Sequence, residues 1–193
     1  MKTPSICIDP GHGGKSDGVV ANNIVEKELA LRIAHELHTT LQPLEIVTAL
    51  TRTDDRDMSL TERGIASRNT DAGLVLSIHI NAHTKDSVYG SDLFCWPGNQ
   101  IGWKVSRCIS ECMPSELRSG RVWEAQNNPR DDTDNWLQRP RNVLKYHEAT
   151  AVLVEVGYAT NTRDSEYMLG QWGPSHVVCA LRAGVCKFLE LTT

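Results

Sequence analysis

The sequence has few of the residues that mark disulfide scaffolds or disordered chains. Its 193 residues include six cysteines, none with CxxC spacing, so we expect reduced, buried thiols instead of a disulfide framework. Glycine (14) and proline (8) are spread thinly, without a repeat or a low-complexity tract. With 40% hydrophobic and 23% charged residues, the composition is that of a globular chain, and we expect a single domain over residues 1–193.

The sequence also lacks long apolar runs and an excess of basic residues. No run approaches the roughly 20 residues that span a bilayer, and the first residues do not include the apolar core of a signal peptide. We therefore expect synthesis in the cytoplasm without an export signal, and no membrane insertion. Twenty Lys and Arg against 24 Asp and Glu give a net charge of -4. Nucleic acid is an unsuitable partner because binding to phosphates requires a basic face.

The chain does contain short apolar runs that alternate with segments of helical periodicity. The predicted strands cover residues 5–9, 44–51, 74–78, 90–95 and 151–154. Four helices are predicted, each from a different signal. The first has an apolar stripe over 29–41, the second begins at a capping box formed by Ser59 and Glu62, the third begins near residue 99, and the fourth begins at Pro174. Strands rich in Val, Ile and Leu, with helices between them, predict an α/β fold: a twisted, mainly parallel sheet with helices on both faces. We expect the polar segment 114–141 to be mostly surface loop.

Polar side chains follow or interrupt three of the predicted strands. His12 comes just after the first strand, between glycines, and His79, Asn81 and His83 follow the third. Glu155 interrupts the apolar run of the last strand. Ligands of open α/β sheets bind beyond the carboxyl ends of the strands. A buried, unpaired carboxylate costs several kcal/mol, so Glu155 needs a cation, a hydrogen-bond network or a wet cleft beside it.

Two histidines and a carboxylate at one edge of a sheet form a donor set that suits Zn²⁺ with one position left for water. The third ligand is expected at the start of the first helix, where both Glu26 and Glu28 are candidates. The alternative role for these two acids is to complement the helix dipole. Glu155 has an alternative too, which is to pair with an arginine such as Arg52 or Arg63. The residues alone leave these choices open.

Five motifs occur in order along the chain: Ile8-Asp9-Pro10-Gly11-His12-Gly13-Gly14, Glu26-Lys27, Thr51-Arg52, Ser77-Ile78-His79-Ile80-Asn81-Ala82 and Val152-Leu153-Val154-Glu155-Val156-Gly157-Tyr158. Together they resemble the zinc-dependent N-acetylmuramoyl-L-alanine amidases of the amidase-3 family of peptidoglycan hydrolases. The resemblance implies that His12, Glu26 and His79 are zinc ligands and that Glu155 is the catalytic carboxylate. Tyr158 stands where the family commonly has Phe, and segment 114–141 matches poorly.

The resemblance also implies a reaction. The expected substrate is peptidoglycan, and the expected reaction is hydrolysis of the amide bond between N-acetylmuramic acid and the L-alanine of the stem peptide. In this mechanism Glu155 takes a proton from the attacking water at the zinc ion and returns it to the departing amine. Two alternatives remain: a zinc peptidase that cuts within the stem peptide, and a peptidoglycan-binding module without activity.

Other polar residues receive supporting roles. We expect Asn81 to support the site through hydrogen bonds, with direct substrate contact as the alternative. Asp9 is expected to stabilise the turn or to orient His12 from behind. His83 is expected either to contact the substrate or a ligand, or to lie exposed. His147, in a loop before a strand, is expected to be solvated.

Some relatives have a long helix inserted between the second metal-binding histidine and the catalytic glutamate, and this helix covers the zinc. Here residues 83–150 already have to hold a strand, a helix and a loop, so we predict an open site, no obligatory protein activator, and a monomer. The absence of an export signal and of wall-binding repeats favours a phage endolysin that acts on the cell wall after release, with a bacterial autolysin as the alternative. Trp123 and Trp136 are the candidates for stacking on a sugar, with packing as their other role.

Overall fold

The computed structural model describes residues 5–124 and 140–190. Its strands are β1 (Ser5–Pro10), β2 (Val20–Ala21), β3 (Ile24–Val25), β4 (Val47–Leu50), β5 (Leu74–Asn81), β6 (Asp92–Cys95), β7 (Arg121–Glu124) and β8 (Thr150–Tyr158). Six of them form one sheet in the order β4-β1-β5-β8-β6-β7, and β2 and β3 form a separate hairpin. The first four strands of the sheet are parallel, whereas β6 is antiparallel to β8 and β7 is parallel to β6. The sheet is therefore mainly parallel, as predicted.

Helices cover both faces of this sheet. They are α1 (Glu26–Leu41), α2 (Leu60–Arg68), α3 (Gln100–Cys112), α4 (Pro140–Tyr146), α5 (Thr162–Leu169) and α6 (Gly173–Leu189). The larger apolar cluster joins the sheet to α1, α3 and α6, and the smaller one joins its other face to α4 and to the start of α2. Alternate residues of each strand enter different clusters, because successive side chains of a strand point to opposite faces. The predicted α/β architecture is confirmed.

Local sequence signals account for most of the helices. The predicted apolar stripe of α1 is fully buried, from Leu29 to Leu41. The predicted capping box is present at the start of α2, where Ser59 Oγ accepts a hydrogen bond from Glu62 N and Ser59 N donates to Glu62 Oε2. Asn99 caps α3 by accepting from Gly102 N. Pro174 lies in the first turn of α6, where its missing N–H costs nothing.

The structure differs from the sequence predictions at three elements. The strand predicted over 44–51 is only Val47–Leu50, because Gln42–Leu44 forms a 3₁₀ turn around Pro43 and Glu45 then adopts a left-handed φ of 58°. Segment 114–141 contains a strand, β7. The pattern of its own residues does not reveal this strand, because pairing with β6 at the sheet edge stabilises it. Its residues 125–139 lie outside the described part. Helix α5 was missed, although Asn161 caps it by accepting from Asp164 N.

Two expectations about single side chains also change. His147 is buried, with 7% of its surface exposed, and its Nδ1 lies 2.7 Å from Ser67 Oγ, so the solvated role is wrong. All six cysteines are free, as expected. Their burial is only partly as expected, since Cys179 is exposed and Cys108 and Cys112 are half-buried.

Among the described residues, none of the helices has the length and apolar character that crossing a membrane requires.

Candidate metal centre

Three segments that are distant in sequence meet at the carboxyl end of the parallel strands. His12 follows β1, Glu26 is the first residue of α1, and His79 lies near the end of β5. One nitrogen or oxygen atom from each of these side chains lies within 4.8 Å of the other two, and the described residues contain no second group of this kind. Glu28, the other candidate from the sequence, is exposed. The three predicted ligands are thus brought together.

The Glu26 carboxylate lies at the centre of this group and is almost fully buried. Its Oε1 lies 2.9 Å from His79 Nδ1, and its Oε2 lies 3.3 Å from His12 Nε2. Two backbone amides also donate to it, Ile80 N to Oε1 and Val19 N to Oε2. Burial raises the pKa of Glu26, but the hydrogen bonds from the two histidines outweigh it and hold the pKa below its usual range. The carboxylate is therefore charged at neutral pH.

The two imidazole rings are held in a fixed relation to each other. Their centroids are 5.1 Å apart and the rings are nearly perpendicular. His12 Nδ1 lies 2.9 Å from Ser16 Oγ, so Nε2 is the nitrogen that faces Glu26. A metal-binding histidine usually has its second nitrogen in a hydrogen bond, which fixes the ring and its tautomer. No sequence motif singled out Ser16 beyond its closeness to His12.

Two glycines make room for these side chains. A Cβ at Gly11 would lie 2.5 Å from Cε1 of the His79 ring. A Cβ at Gly18 would lie 2.4 Å from Glu26 Oε2, and Gly18 also has a φ of +69°, which side chains disfavour. Any larger residue at either position would displace one of the candidate ligands.

Two buried arginines hold the backbone on which the ligands sit. Arg52 donates to the carbonyl oxygens of Pro10 (3.0 Å), Gly11 (2.7 Å) and Lys27 (2.9 Å), so it ties the segment before His12 to the start of α1. Arg63 donates to the carbonyl oxygens of Pro10 and His12. Sequence reasoning offered both arginines as partners of Glu155. In the structure both arginines instead donate hydrogen bonds to backbone carbonyl groups of the turn that carries His12.

Asp9 lies beneath this turn and is completely buried. Its carboxylate accepts hydrogen bonds from Thr51 Oγ1 (2.5 Å), Arg63 Nη1 (2.8 Å) and Ser77 Oγ (2.8 Å). It therefore reaches the His12 segment through Arg63. Burial raises the pKa of Asp9, but the closeness of His147, whose Nε2 lies 3.9 Å from Asp9 Oδ2, and the charge of Arg63 outweigh it and keep the pKa low.

Glu155 is placed beside the three candidate ligands by strand pairing. On β8 it is in register with His79 on one side and with Asp92 on the other. Its Oε2 is buried and has no hydrogen-bond partner among the described residues. Burial, followed by the negative charges of Glu26 and Asp92, raises the pKa of Glu155 well above its usual value. Its carboxyl group is thus suited to holding a proton.

Sequence reasoning missed Asp92, which gave no signal beyond its place at the start of a strand. It is buried and accepts hydrogen bonds from Tyr158 Oη (2.5 Å), Arg121 Nε (2.5 Å) and Trp123 Nε1 (3.0 Å). Trp123 is 43% exposed, while Trp136 lies outside the described residues. The hydroxyl group of Tyr158, which a phenylalanine lacks, therefore has a definite partner.

A cavity of about 650 Å³ opens onto the candidate ligands. His12, Glu26, His79, Asn81 and Glu155 contribute to its lining, together with the apolar residues Met58, Leu60, Val143 and Leu153. His83 is placed to one side, with its ring centroid 6.4 Å from that of Tyr158 and its Nδ1 accepting from Lys85 N. The cavity combines a cluster of nitrogen and oxygen ligand atoms, an apolar wall, and a lining residue, Glu155, whose Oε2 has no partner among the described residues.

Comparisons with known proteins identify relatives of this chain in sequence and in fold. The chain is 32% identical over 168 residues to N-acetylmuramoyl-L-alanine amidase LytC of Bacillus subtilis (strain 168). This alignment covers 83% of this chain but only 30% of that relative. It superimposes with a TM-score of 0.83 and 25% identity on the N-acetylmuramoyl-L-alanine amidase from Clostridium difficile 630, over 100% of both chains. The CwlD amidase from Clostridioides difficile, solved in complex with the GerS lipoprotein, has the same fold: the TM-score is 0.82 at 24% identity, over 97% of this chain and 99% of that one.

The family itself is settled by a match along nearly the whole chain. The Amidase_3 family model, described as N-acetylmuramoyl-L-alanine amidase, matches residues 6–187. This range contains all five motifs on which the resemblance was based, together with His12, Glu26, His79 and Glu155. The predicted resemblance is confirmed: the chain belongs to the N-acetylmuramoyl-L-alanine amidase family Amidase_3.

Proposed function

We propose that residues 1–193 are a single catalytic domain that hydrolyses the amide bond between N-acetylmuramic acid and L-alanine in peptidoglycan, with Zn²⁺ as cofactor. The observation that supports this most is the meeting of His12, Glu26 and His79 in one cluster, with Glu155 on the same cavity. Membership of the amidase family supports the choice of bond. Peptidoglycan as substrate places the site of action at the cell wall.

The donor set supports zinc as the metal. Two imidazoles and one carboxylate are the ligands of many catalytic zinc sites, which leave one position open. His12, Glu26 and His79 would hold the ion, and Ser16 and the amides of Val19 and Ile80 would orient the ligands. When bound, zinc supplies positive charge that polarises a carbonyl group and lowers the pKa of water.

Glu155 then has the role of moving the proton. Its Oε2 has no partner among the described residues and Glu155 lines the cavity, so the carboxylate is available to accept a proton from the attacking water. The same carboxyl group returns this proton to the departing amine of L-alanine. An amide has a poor leaving group, so the second transfer is as necessary as the first. The raised pKa of Glu155 favours a group that both takes up and releases the proton.

Substitution of Glu155 tests this proposal. Glu155→Gln keeps the shape of the side chain but removes its basicity, so we expect zinc content equal to that of the parent and nearly complete loss of turnover. His79→Ala should lose both zinc and turnover. Glu148→Gln, at an exposed position, is the matched control and should leave both unchanged. Cleavage of cell walls by Glu155→Gln at the parent rate would contradict the proposed role.

The products distinguish the amidase from the two alternatives. An amidase releases intact stem peptides with a free L-alanine amine, whereas a zinc peptidase acting within the stem peptide leaves shortened peptides. Mass spectrometry of digested peptidoglycan separates these outcomes. A binding module without activity would release neither. The presence of all three candidate ligands and of Glu155 argues against that alternative, because a decayed site would be expected to lack at least one of them.

We also propose that the site works as a monomer without an obligatory protein activator, and that the chain is a phage endolysin released to the cell wall. The His12 and His79 side chains are 29% and 17% exposed, so solvent reaches the candidate ligands. The lipoprotein bound to CwlD shows a partner for that relative. Activity of the purified chain alone, with its mass measured by light scattering, tests the first proposal, and strict dependence on an added protein would contradict it. A holin gene beside the coding sequence would support the phage origin over an autolysin.

A further inference from the structure

The cavity contains two buried polar atoms without partners. In the described residues, six buried side-chain nitrogen or oxygen atoms have no hydrogen-bond partner. Two of the six belong to residues that line the cavity at the candidate metal centre: Asn81 Nδ2 and Glu155 Oε2. A buried polar group without its hydrogen bond costs about 1–3 kcal/mol. Two such atoms in one cavity indicate that a ligand supplies the missing partners.

The orientation of the Asn81 amide is fixed by its neighbour. Asn81 Oδ1 accepts a hydrogen bond from Ala82 N at 2.8 Å. Because a backbone N–H can meet only an acceptor, the oxygen must be the atom that faces Ala82, and Nδ2 must be the free end. The backbone is fixed as well, since Asn81 O accepts from Ala159 N at 2.8 Å. The donor is therefore held in place before any ligand arrives.

The end of β5 is irregular at Asn81. The pairing of β5 with β8 shifts register between His79 and Asn81, and irregularities of this kind redirect side chains near active sites. Asn81 is 8% exposed, so its amide is shielded from bulk water. Asn81 thus lines the same cavity as His79 and Glu155, two residues after a candidate metal ligand.

The chemistry of the cavity identifies the kind of partner. Among the residues that line the cavity, Glu26 and Glu155 carry carboxylate oxygens, whereas Asn81 carries an amide N–H donor that has no partner among the described residues. We propose that Asn81 Nδ2 donates a hydrogen bond to a carbonyl oxygen of the muramoyl-peptide substrate, which makes Asn81 a substrate-binding residue. This inference rests on the proposed function, because that function supplies a substrate with carbonyl groups on both sides of L-alanine. It selects direct contact over the supporting role expected from the sequence.

The test measures binding and turnover separately. In the zinc-loaded Glu155→Gln protein, the dissociation constant for N-acetylmuramoyl-L-alanyl-D-isoglutamine is measured by calorimetry with Asn, Ala or Asp at position 81. We expect Asn81→Ala to weaken binding about tenfold, equivalent to about 1.4 kcal/mol, and Asn81→Asp to weaken it further because it sets an acceptor against the carbonyl oxygen. Asn99→Asp is the control, since both residues cap a helix well and Asn99 lies outside the cavity lining.

A second measurement uses the active enzyme. In the parent background, Asn81→Ala should lower kcat/KM for soluble muropeptides at least tenfold while the zinc affinity and the melting temperature stay at parent values. A merely structural role would instead lower the melting temperature and leave the dissociation constant unchanged. That result, or weaker binding in Asn81→Asp but not in Asn81→Ala, would overturn the inference. If Glu155→Gln gives no measurable binding, the kcat/KM of Asn81→Ala decides.

Failure of the proposed function gives a different result. In that case the parent enzyme releases no L-alanine amino termini from peptidoglycan and the Glu155→Gln protein does not bind the muramoyl dipeptide, so both proposals fall together. Cleavage by the parent with a kcat/KM that is insensitive to position 81 overturns the Asn81 inference alone.

Discussion

Replacing Gly11 by alanine should weaken metal binding without altering any candidate ligand. The added Cβ would lie 2.5 Å from His79 Cε1, 2.6 Å from Nδ1 and 2.7 Å from Nε2. Ordinary contacts begin at 3.4 Å, so the ring must move by about 0.9 Å or the strand must shift. Gly11 does not have a left-handed φ, so alanine brings crowding and no backbone strain.

The size of the effect follows from the tolerance of metal sites. Metal–ligand distances in working sites stay within about 0.2 Å of their ideal values. A displacement of the ring several times larger forces one bond to lengthen or the other ligands to follow. Changes that misplace a ligand without removing it typically cost 10–100-fold in metal affinity. We therefore expect the zinc dissociation constant of Gly11→Ala to rise about 10–100-fold, equivalent to about 1.4–2.8 kcal/mol.

Competition with a chromogenic chelator measures this constant, and thermal unfolding of the metal-free protein shows whether the fold is intact. Gly73→Ala is the matched control, because a Cβ at that position meets nothing within 4 Å and Gly73 has no left-handed φ. It should bind zinc as the parent does. A Gly11→Ala protein with parent zinc affinity would refute the reasoning that this glycine makes room for His79 as a ligand.

Three further predictions concern stability. Arg52→Lys should lower the free energy of unfolding by about 2–4 kcal/mol in urea, because buried carbonyl groups lose their donors; a loss no larger than that of Arg32→Lys at an exposed position would contradict this. Ser59→Ala should cost about 1 kcal/mol through the lost capping box, and an unchanged urea midpoint would show that the box does not stabilise α2. Asp9 and Glu26 have pKa values below their ordinary ones, so their stabilisation is complete above about pH 5 and is lost as the pH falls further. The free energy of unfolding of the metal-free protein should therefore fall between pH 5 and pH 2, and a flat profile would contradict the assigned charges.

Much of the fold could be predicted because its signals are local. The stripe of α1, the capping box at Ser59 and the apolar strands reflect backbone periods and turn chemistry that act over a few residues. Strand β7 could not be predicted in this way, because its four residues are stabilised by pairing with β6 and not by their own pattern. The burial of His147 was missed for a similar reason. Its contact is with Ser67, 80 positions earlier in the chain.

The residues of the candidate site also differ in whether a local sequence signal reveals them. The motifs around His12, His79 and Glu155 were visible because polar residues follow or interrupt apolar strands, and in parallel sheets such positions meet at one edge. Asp92 and Ser16 gave no comparable signal. Arg52 and Arg63 were considered only as alternative partners of Glu155, since the sequence does not show which buried oxygen atoms need a donor.

The sequence by itself determined the α/β class, the edge of the sheet that holds the chemistry, and the family to which the chain belongs. The residues alone left Glu26 and Glu28 open, the resemblance chose Glu26, and the structure places Glu26 between the histidines. Tertiary structure alone decided that Arg52 and Arg63 donate to backbone carbonyl groups, and that Asn81 Nδ2 has no hydrogen-bond partner among the described residues. The physical reason is distance along the chain. Periodicity is set by neighbouring residues, whereas burial, strand register and hydrogen-bond partners depend on packing between segments such as Glu26 and His79, which are 53 positions apart.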